Sequence, residues 1–349
     1  MTHAKDEFPI GQDHPPFIIG EVSGNHNGSL DRALAIVDAI ADAGAHAIKL
    51  QTYTADTMTI DEKTGDFFVS DPDSLWHGRS LYELYQEAHT PWEWHAPLFE
   101  RARHRGLIAF STPFDATAVD FLESLGVSFY KVASFENTDL PLVRKVAATG
   151  KPMIISTGMA SLAELDEVVR TARGAGCPRL VLLKCTSSYP ADPATSNLAA
   201  IPQLRSLFGC DVGLSDHTLG IGAAVAAVGL GATVIEKHVT LSRAEGGVDA
   251  AFSLEPHELA QLVRETTVAW QALGRPDIGP TEAERSSTIF RRSLYVCEDL
   301  APMDVLTARN LRAIRPGHGL PPKYLDSLLG KRVTRAVKRG TPLSWDLIG

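Results

Sequence analysis

The sequence predicts an α/β fold in which eight parallel strands alternate with helices and close on themselves, followed by a small β-rich domain. Three observations lead there. Eight short apolar runs each end in a polar or charged residue, stretches of helical period and length lie between most of them, and the pattern changes after Gly274. Strands alternating with helices imply parallel βα units. Eight such units make a (β/α)8 TIM barrel, whose chemistry sits at the carboxyl ends of the strands. The chain has 349 residues against ~250 for a single barrel, so one barrel plus a small extra domain is the natural count.

The runs occupy residues 17–23 (FIIGEVS), 45–51 (AHAIKLQ), 107–113 (LIAFSTP), 128–134 (SFYKVAS), 153–158 (MIISTG), 180–186 (LVLLKCT), 210–217 (CDVGLSDH) and 234–239 (VIEKHV). The helical stretch 30–43 carries Leu34, Ile36, Val37 and Ile40 on one face, with Ser29 as N-cap and Gly44 as its stop. Stretch 161–172 opens with a capping-box pattern, Ser161 to Glu164, and 254–272 is the last and longest helix. The connection 52–105 is far longer than an ordinary βα loop and holds Phe67, Phe68, Trp76, Tyr82, Tyr85, Trp92 and Trp94. It reads either as a satellite hydrophobic cluster beside the barrel or as a wall of the catalytic pocket. The barrel is assigned to residues 1–280, a linker to 281–290 within polar, turn-rich sequence, and the β-rich domain to 291–349.

Bulk composition excludes several classes. Hydrophobic residues at 44% and charged residues at 21% are an ordinary globular balance. A net charge of −9 weighs against nucleic-acid and anionic-membrane partners. The four cysteines, Cys177, Cys185, Cys210 and Cys297, lack C-x-x-C spacing, which fits reduced thiols in a cytoplasmic protein. The first residues, MTHAKDEFPIG, show no basic start before an apolar stretch, so no export signal is expected. The small-apolar run 221–235 is broken by Gly222, Gly229 and Gly231, and reads as a buried barrel helix rather than a membrane span.

Side chains two apart on a strand share a face. Gly213, Ser215 and His217 therefore share one, as do Val234, Glu236 and His238. If both faces point inward, His217 and His238 lie on neighbouring strands about 5 Å apart, where two imidazoles could hold one divalent metal with positions open for water and substrate. Either histidine alone would read as a hydrogen-bonded rim residue. Lys49, Lys131 and Lys184 sit near strand ends, and Lys237 adjoins His238. Buried lysines are costly unless paired or bound to an anion. Converging with Ser134, Ser156 and Ser215, they suggest a cradle for phosphate or carboxylate; the rival reading is a Schiff-base aldolase with one nucleophilic lysine. Glu21, on the face of Phe17 and Ile19, is a candidate general acid or base, or a salt-bridge partner for a lysine. Cys185 reads as buried and inert.

The stretches 21–28 (EVSGNHNG), 49–52 (KLQT), 111–114 (STPF), 131–134 (KVAS), 156–159 (STGM), 185–190 (CTSSYP), 213–218 (GLSDHT) and 236–240 (EKHVT) together resemble the motif series of the sialic acid synthase family, and the likeness spans essentially the whole chain. Those enzymes condense phosphoenolpyruvate with an amino sugar to give a nine-carbon 2-keto acid and phosphate. The C-terminal segment, with RPGHG at 315–319, resembles their antifreeze-like (SAF, β-clip) domain. Stretches 74–95 and 246–256 are similar to the pseudaminic acid synthase branch, whose acceptor is 2,4-diacetamido-2,4,6-trideoxy-L-altrose. N-acetylneuraminate and legionaminate synthases, with the same chemistry, are the nearer alternatives; a non-catalytic sugar- or phosphate-binding barrel is the alternative of another class.

The resemblance implies a C–C bond-forming transferase with roles residue by residue. His217 and His238 match metal ligands for manganese, with magnesium or cobalt as substitutes. Lys49, Thr112, Lys131, Ser134, Ser156 and Ser215 match phosphoenolpyruvate-binding positions, and Ser187 stands where the family often has Asn. Glu21 matches the catalytic carboxylate. Glu136, Tyr189 and Asp249 match residues around the acceptor sugar, and Arg315 matches an arginine supplied by the partner subunit in a domain-swapped homodimer.

Overall fold

The computed structural model describes residues 10–349; the stretch read for an export signal lies almost wholly outside them. The chain forms two compact units, the described part of Met1–Gly274 and Arg275–Gly349.

In the first unit, eight parallel strands close into a barrel in sequence order. They are β1 (Phe17–Glu21), β2 (Ala47–Thr52), β3 (Ile108–Pro113), β4 (Tyr130–Val132), β5 (Met153–Ser156), β6 (Leu180–Cys185), β7 (Asp211–Ser215) and β8 (Val234–His238). Each falls within a run expected from the sequence, except that β2 extends one residue beyond its run, to Thr52. Alternation along the strands divides their side chains between two cores. Phe17, Ile19, Ala47, Phe110, Phe129, Ile154, Val181, Leu183 and Val234 fill the barrel. Ile18, Ile48, Leu50, Val132, Ile155, Leu182 and Ile235 pack outward in the larger core shared with the helices. Each fully buried ring or branched chain contributes roughly 1.5–3 kcal/mol. The apolar plug thus makes a stable base on which polar strand ends can be held out of water.

Helices cover the barrel as their periodicity requires. Leu30–Asp42 is capped by the Ser29 side chain and buries Ala33, Ile36, Val37 and Ile40. Leu162–Gly174 begins with the Ser161/Glu164 capping box, and Pro256–Leu273 with a second one from Glu255 and Glu258. The long connection after β2 resolves into two parts. Its C-terminal part is an ordinary barrel helix, Trp92–His104, which buries Leu98 and Phe99 and whose Trp92 stacks on Phe121 with centroids 4.6 Å apart. The true excursion is residues 53–91, including the helix Leu81–Ala88. No helix among the described residues is long and apolar enough to cross a membrane.

The second unit has its own core around Leu294, Val296, Leu306, Leu311, Val333 and Leu343. Its antiparallel pair is β9 (Ser293–Val296) with β10 (Leu311–Ile314). Residues 286–290, read from composition as linker, form a 3-10 turn in this unit, Ser286–Phe290. Arg315 directly follows β10.

Candidate active site

Strand register sets one layer of polar side chains above the plug. Glu21 pairs in register with Lys49 on one side and His238 on the other, and Ser215 pairs with Glu236. These residues line a cavity of about 380 Å³ at the carboxyl ends of the strands. Its floor is a buried ion network. Lys49 Nζ lies 2.9 Å from Glu21 Oε2 and 3.2 Å from Glu236 Oε1. Lys131 Nζ lies 3.0 Å from the same Glu236 oxygen, which also accepts from Ser215 Oγ at 3.0 Å. Gln51 Nε2 donates to Glu21 Oε1 at 2.8 Å. Both lysines are therefore already paired with carboxylates, and an incoming phosphate would share them rather than meet bare charges.

Burial works against the charge on every one of these groups, and their partners decide the outcome. For Glu21, burial opposes ionisation, but His238, Lys49 and Lys131 and the Gln51 amide hold the carboxyl well below the usual range. Burial holds His238 itself below its ordinary value, against the pull of Glu21 and Asp249. Burial lowers Lys131 more than Glu236 restores it, whereas Glu21 and Glu236 together raise Lys49. Glu136 sits at the edge of the floor, where burial pushes its carboxyl up to about 7 against the pull of Lys131.

The two histidines face one another with centroids 5.4 Å apart. His217 Nδ1 lies 3.1 Å from the Thr186 carbonyl; donation there leaves Nε2 with its lone pair. His238 Nε2 is 3.2 Å from Glu21 Oε2, while its Nδ1 is buried without a hydrogen-bond partner and 3.7 Å from Asp249 Oδ2. Burial lowers the His217 ring, but Cys185, the Thr186 carbonyl and Glu21 together raise it above its ordinary value, so it offers a lone pair only once its proton is displaced. In their neutral forms the two imidazoles, each with an uncommitted ring nitrogen, fit the borderline character of a first-row divalent metal. Among the described residues, no third histidine, cysteine or carboxylate joins them in metal-holding geometry. Further positions would then belong to water and substrate.

The cavity gathers Glu21, Lys49, Thr112, Lys131, Ser134, Glu136, Ser156, Tyr189, Ser215, His217, His238 and Asp249. Ser187 is not part of the lining but stands beside Ser134 across Gly158. A Cβ on that glycine would meet their hydroxyls at 2.2 and 2.6 Å, so only glycine lets the loops after β5 and β6 close up. Arg315 belongs to the second unit, and the cavity lining comes from the first. Thr112 Oγ1, Ser156 Oγ, Glu136 Oε2 and Glu236 Oε2 are buried with no partner among the described residues, which is costly unless a ligand meets them.

Two expected cradle lysines turn away. Lys184 follows the outward face of Leu182 and donates to the Cys185 carbonyl at 2.9 Å. Lys237 follows Ile235 and pairs with Asp216 at 3.1 Å. Strand alternation itself separates them from Lys49 and Lys131. Cys185, read as inert, is buried but lines the cavity, with its Sγ 3.9 Å from His217 Nδ1; burial raises the thiol, but His217 and its other neighbours bring it down to about 7. Gln51, Ser23 and Glu236 had no assigned role. Glu236 shares its face with His238, and Gln51 shares one with Lys49, so the alternation that found their neighbours could have found them. Ser23, whose hydroxyl bonds Asp249, lies just beyond β1 but ends the run 17–23 two positions after Glu21, so the same alternation could have found it.

Above the floor, the excursion contributes Tyr53, Met58, Val69, Trp76, Leu81, Leu84, Tyr85 and Ala88 to the lining. It thus forms a wall of the pocket, while Trp92 and Trp94 serve the helical core. Trp76 spans the mouth: its indole N–H donates to Val248 O at 3.0 Å, and its ring lies 5.8 Å from that of Tyr189, which in turn packs 4.5 Å from His217.

Comparison with known proteins gives this constellation a lineage. The NeuB family model matches residues 36–277, and the SAF domain model matches 291–349. The chain belongs to the NeuB family. The pseudaminic acid synthase of Helicobacter pylori is 42% identical over 334 residues, covering 95% of this chain and 97% of that protein. The N,N'-diacetyllegionaminic acid synthase of Legionella pneumophila is 36% identical over 345 residues, 97% of this chain and 96% of its own. A crystal structure of N-acetylneuraminic acid synthetase from Leptospira borgpetersenii, in complex with citrate, has a TM-score of 0.73 at 33% identity, covering 82% of this chain and 94% of that one. The expected family, barrel and C-terminal SAF domain are all borne out.

Proposed function

We propose that this NeuB-family chain is a pseudaminic acid synthase. It would condense phosphoenolpyruvate and water with 2,4-diacetamido-2,4,6-trideoxy-L-altrose, releasing pseudaminate and phosphate. The observation that carries the chemistry is the floor itself, where Lys49, Lys131, Ser215, Thr112 and Ser156 converge beside an ionised Glu21. The pseudaminic acid synthases among its relatives support the choice of acceptor.

In this reading the lysines and hydroxyls, with Ser134 and Ser187, hold the phosphate and carboxylate of phosphoenolpyruvate. His217 and His238 would hold a divalent metal, manganese first among the options, which as a Lewis acid would polarise the acceptor aldehyde. Carbon 3 of phosphoenolpyruvate attacks the aldehyde carbon, and positive charge develops at carbon 2 within reach of the Glu21 carboxylate. Glu21, kept ionised by its lysines, suits a base that takes a proton from the water adding at carbon 2. The tetrahedral product then loses phosphate by C–O cleavage. Glu136, Tyr189 and Asp249 would meet the acceptor. Arg315 would reach it from the partner's SAF domain in an exchanged homodimer. A cytoplasmic site of action belongs to the same reading.

Phosphate release tests it. With manganese, the trideoxy altrose derivative should turn over well above N-acetylmannosamine and the legionaminic precursor, and chelation should abolish activity until metal returns. Oxygen-18 in the bridging position of phosphoenolpyruvate should leave with phosphate. Turnover of N-acetylmannosamine alone would overturn the acceptor assignment, and label left in the keto acid would overturn C–O cleavage.

A further inference from the structure

The cavity has a second character that the condensation chemistry does not use. Eight of its lining residues come from the excursion after β2, between Tyr53 and Ala88, and none carries a charge. Met58, Val69, Leu81, Leu84 and Ala88 offer only hydrocarbon and a thioether. Their polar neighbours are two tyrosine hydroxyls and the Trp76 indole, which is committed to the Val248 carbonyl. Val248 extends the surface from the loop after β8: a Cβ on Gly24 would meet its Cγ2 at 2.3 Å and the Ala88 Cα at 3.3 Å. Gly24 therefore lets the two apolar segments meet without a gap.

Such a surface is not simply core. Leu84 is buried, but Met58, Val69, Leu81 and Ala88 are half-buried and face the cavity. At about 380 Å³ the space is near the lower end for a ligand site. An acceptor whose aldehyde lies near the histidines, with phosphoenolpyruvate on the lysines, would press its far substituents against this wall. A hydroxyl pressed there loses water and gains no partner, whereas a methyl loses nothing.

We infer that the wall of Met58, Val69, Leu81, Leu84, Ala88 and Val248 is a subsite for the apolar substituents of the acceptor: the terminal carbon-6 methyl, where common sugars carry hydroxymethyl, together with an acetamido methyl. The inference rests on the synthase reading above and adds to it the residues that select a deoxy sugar. An apolar pocket rejects an added hydroxyl only moderately, by about 100-fold at best. The subsite therefore tunes acceptor choice and does not carry the reaction.

The experiment compares two acceptors that differ only at carbon 6: the trideoxy altrose derivative and its 6-hydroxy counterpart. The ratio of their kcat/KM values is measured for the native chain and for Met58→Gln and Leu81→Gln, both at half-buried positions that tolerate an amide. The native chain should favour the methyl sugar by about 10- to 100-fold, and each variant should cut that ratio several-fold. A native ratio near one overturns the subsite while leaving the synthase reading intact. So does an unchanged ratio in both variants when thermal melts show them folded. Turnover of neither sugar, with N-acetylmannosamine inactive as well, removes the synthase reading and the subsite with it.

Discussion

The floor and the wall of the cavity are built by different means from different parts of the chain. The floor takes one or two residues from the end of each strand, and its charges are paired, buried and held by register. The wall takes eight residues from one excursion, uncharged and partly open to solvent. A floor of this kind is rigid because each group answers for the charge of another, and it suits a step in which charge develops. A wall of this kind makes no demands on its neighbours and can vary without disturbing the chemistry. Relatives named as synthases of different acids are similar to this chain over nearly its whole length, as expected if variation falls on the wall and not on the floor.

The largest expected effect breaks the floor. Glu236 Oε1 accepts from Lys49, Lys131 and Ser215 together. In Glu236→Gln the two lysines remain buried with Glu21 as their one carboxylate. Removing one partner of a buried ion cluster costs about 3–5 kcal/mol, so the midpoint of urea unfolding should fall accordingly. Inorganic phosphate supplies the missing negative charge and should recover part of the loss, more in the variant than in the native chain. An unchanged midpoint, or equal recovery by phosphate in both proteins, would show that the network is not coupled in this way.

The two regions also differ in how far the sequence revealed them. Floor residues lie on strands, where a period of two assigns faces, so Glu21, Lys49, Lys131, His217 and His238 could be placed together before any coordinates. The same period, applied to Lys184 and Lys237, would have turned them outward; counting lysines by their nearness to strand ends missed this. Glu236 went unassigned because a carboxylate among cations looks like a mere counter-ion until three groups are seen on one of its oxygens. The wall was visible only as a long aromatic connection. Which aromatic rings face the cavity depends on the helix breaks at residues 53–91 and on the tertiary contact of Trp76 with Val248, and no local period encodes either. The barrel and the second domain were legible because strand and helix patterns repeat; the excursion does not repeat.

Glu136 marks where the regions meet, and its effect should be intermediate. Burial raises its carboxyl to about 7, against the pull of Lys131 from the floor. The carboxyl normally titrates near 4.5, so between those values the folded chain holds a proton that the unfolded chain has released. Stability should then decline as pH rises from about 4.5 to 7, with the full cost, as much as about 3 kcal/mol, present above that window. Glu136→Gln removes the titration. Subtracting its unfolding free energy from that of the native chain across pH 4 to 8 should give a slope confined to the window. A flat difference would mean that the wall does not desolvate this carboxyl.

The smallest effect sharpens the wall's attachment. Trp76→Phe keeps an aromatic ring near Tyr189 but deletes the donor to Val248 O, one residue before Asp249. A neutral hydrogen bond of this kind contributes about 1 kcal/mol net, which corresponds to roughly a fivefold change if it is expressed in acceptor binding. The KM for the acceptor should rise by about that factor while the KM for phosphoenolpyruvate stays put, because Lys49 and Lys131 are held from the strands below and owe nothing to the indole. Equal changes in both constants would mean that Trp76 supports the whole mouth, and the division between floor and wall would then fail at the residue that joins them.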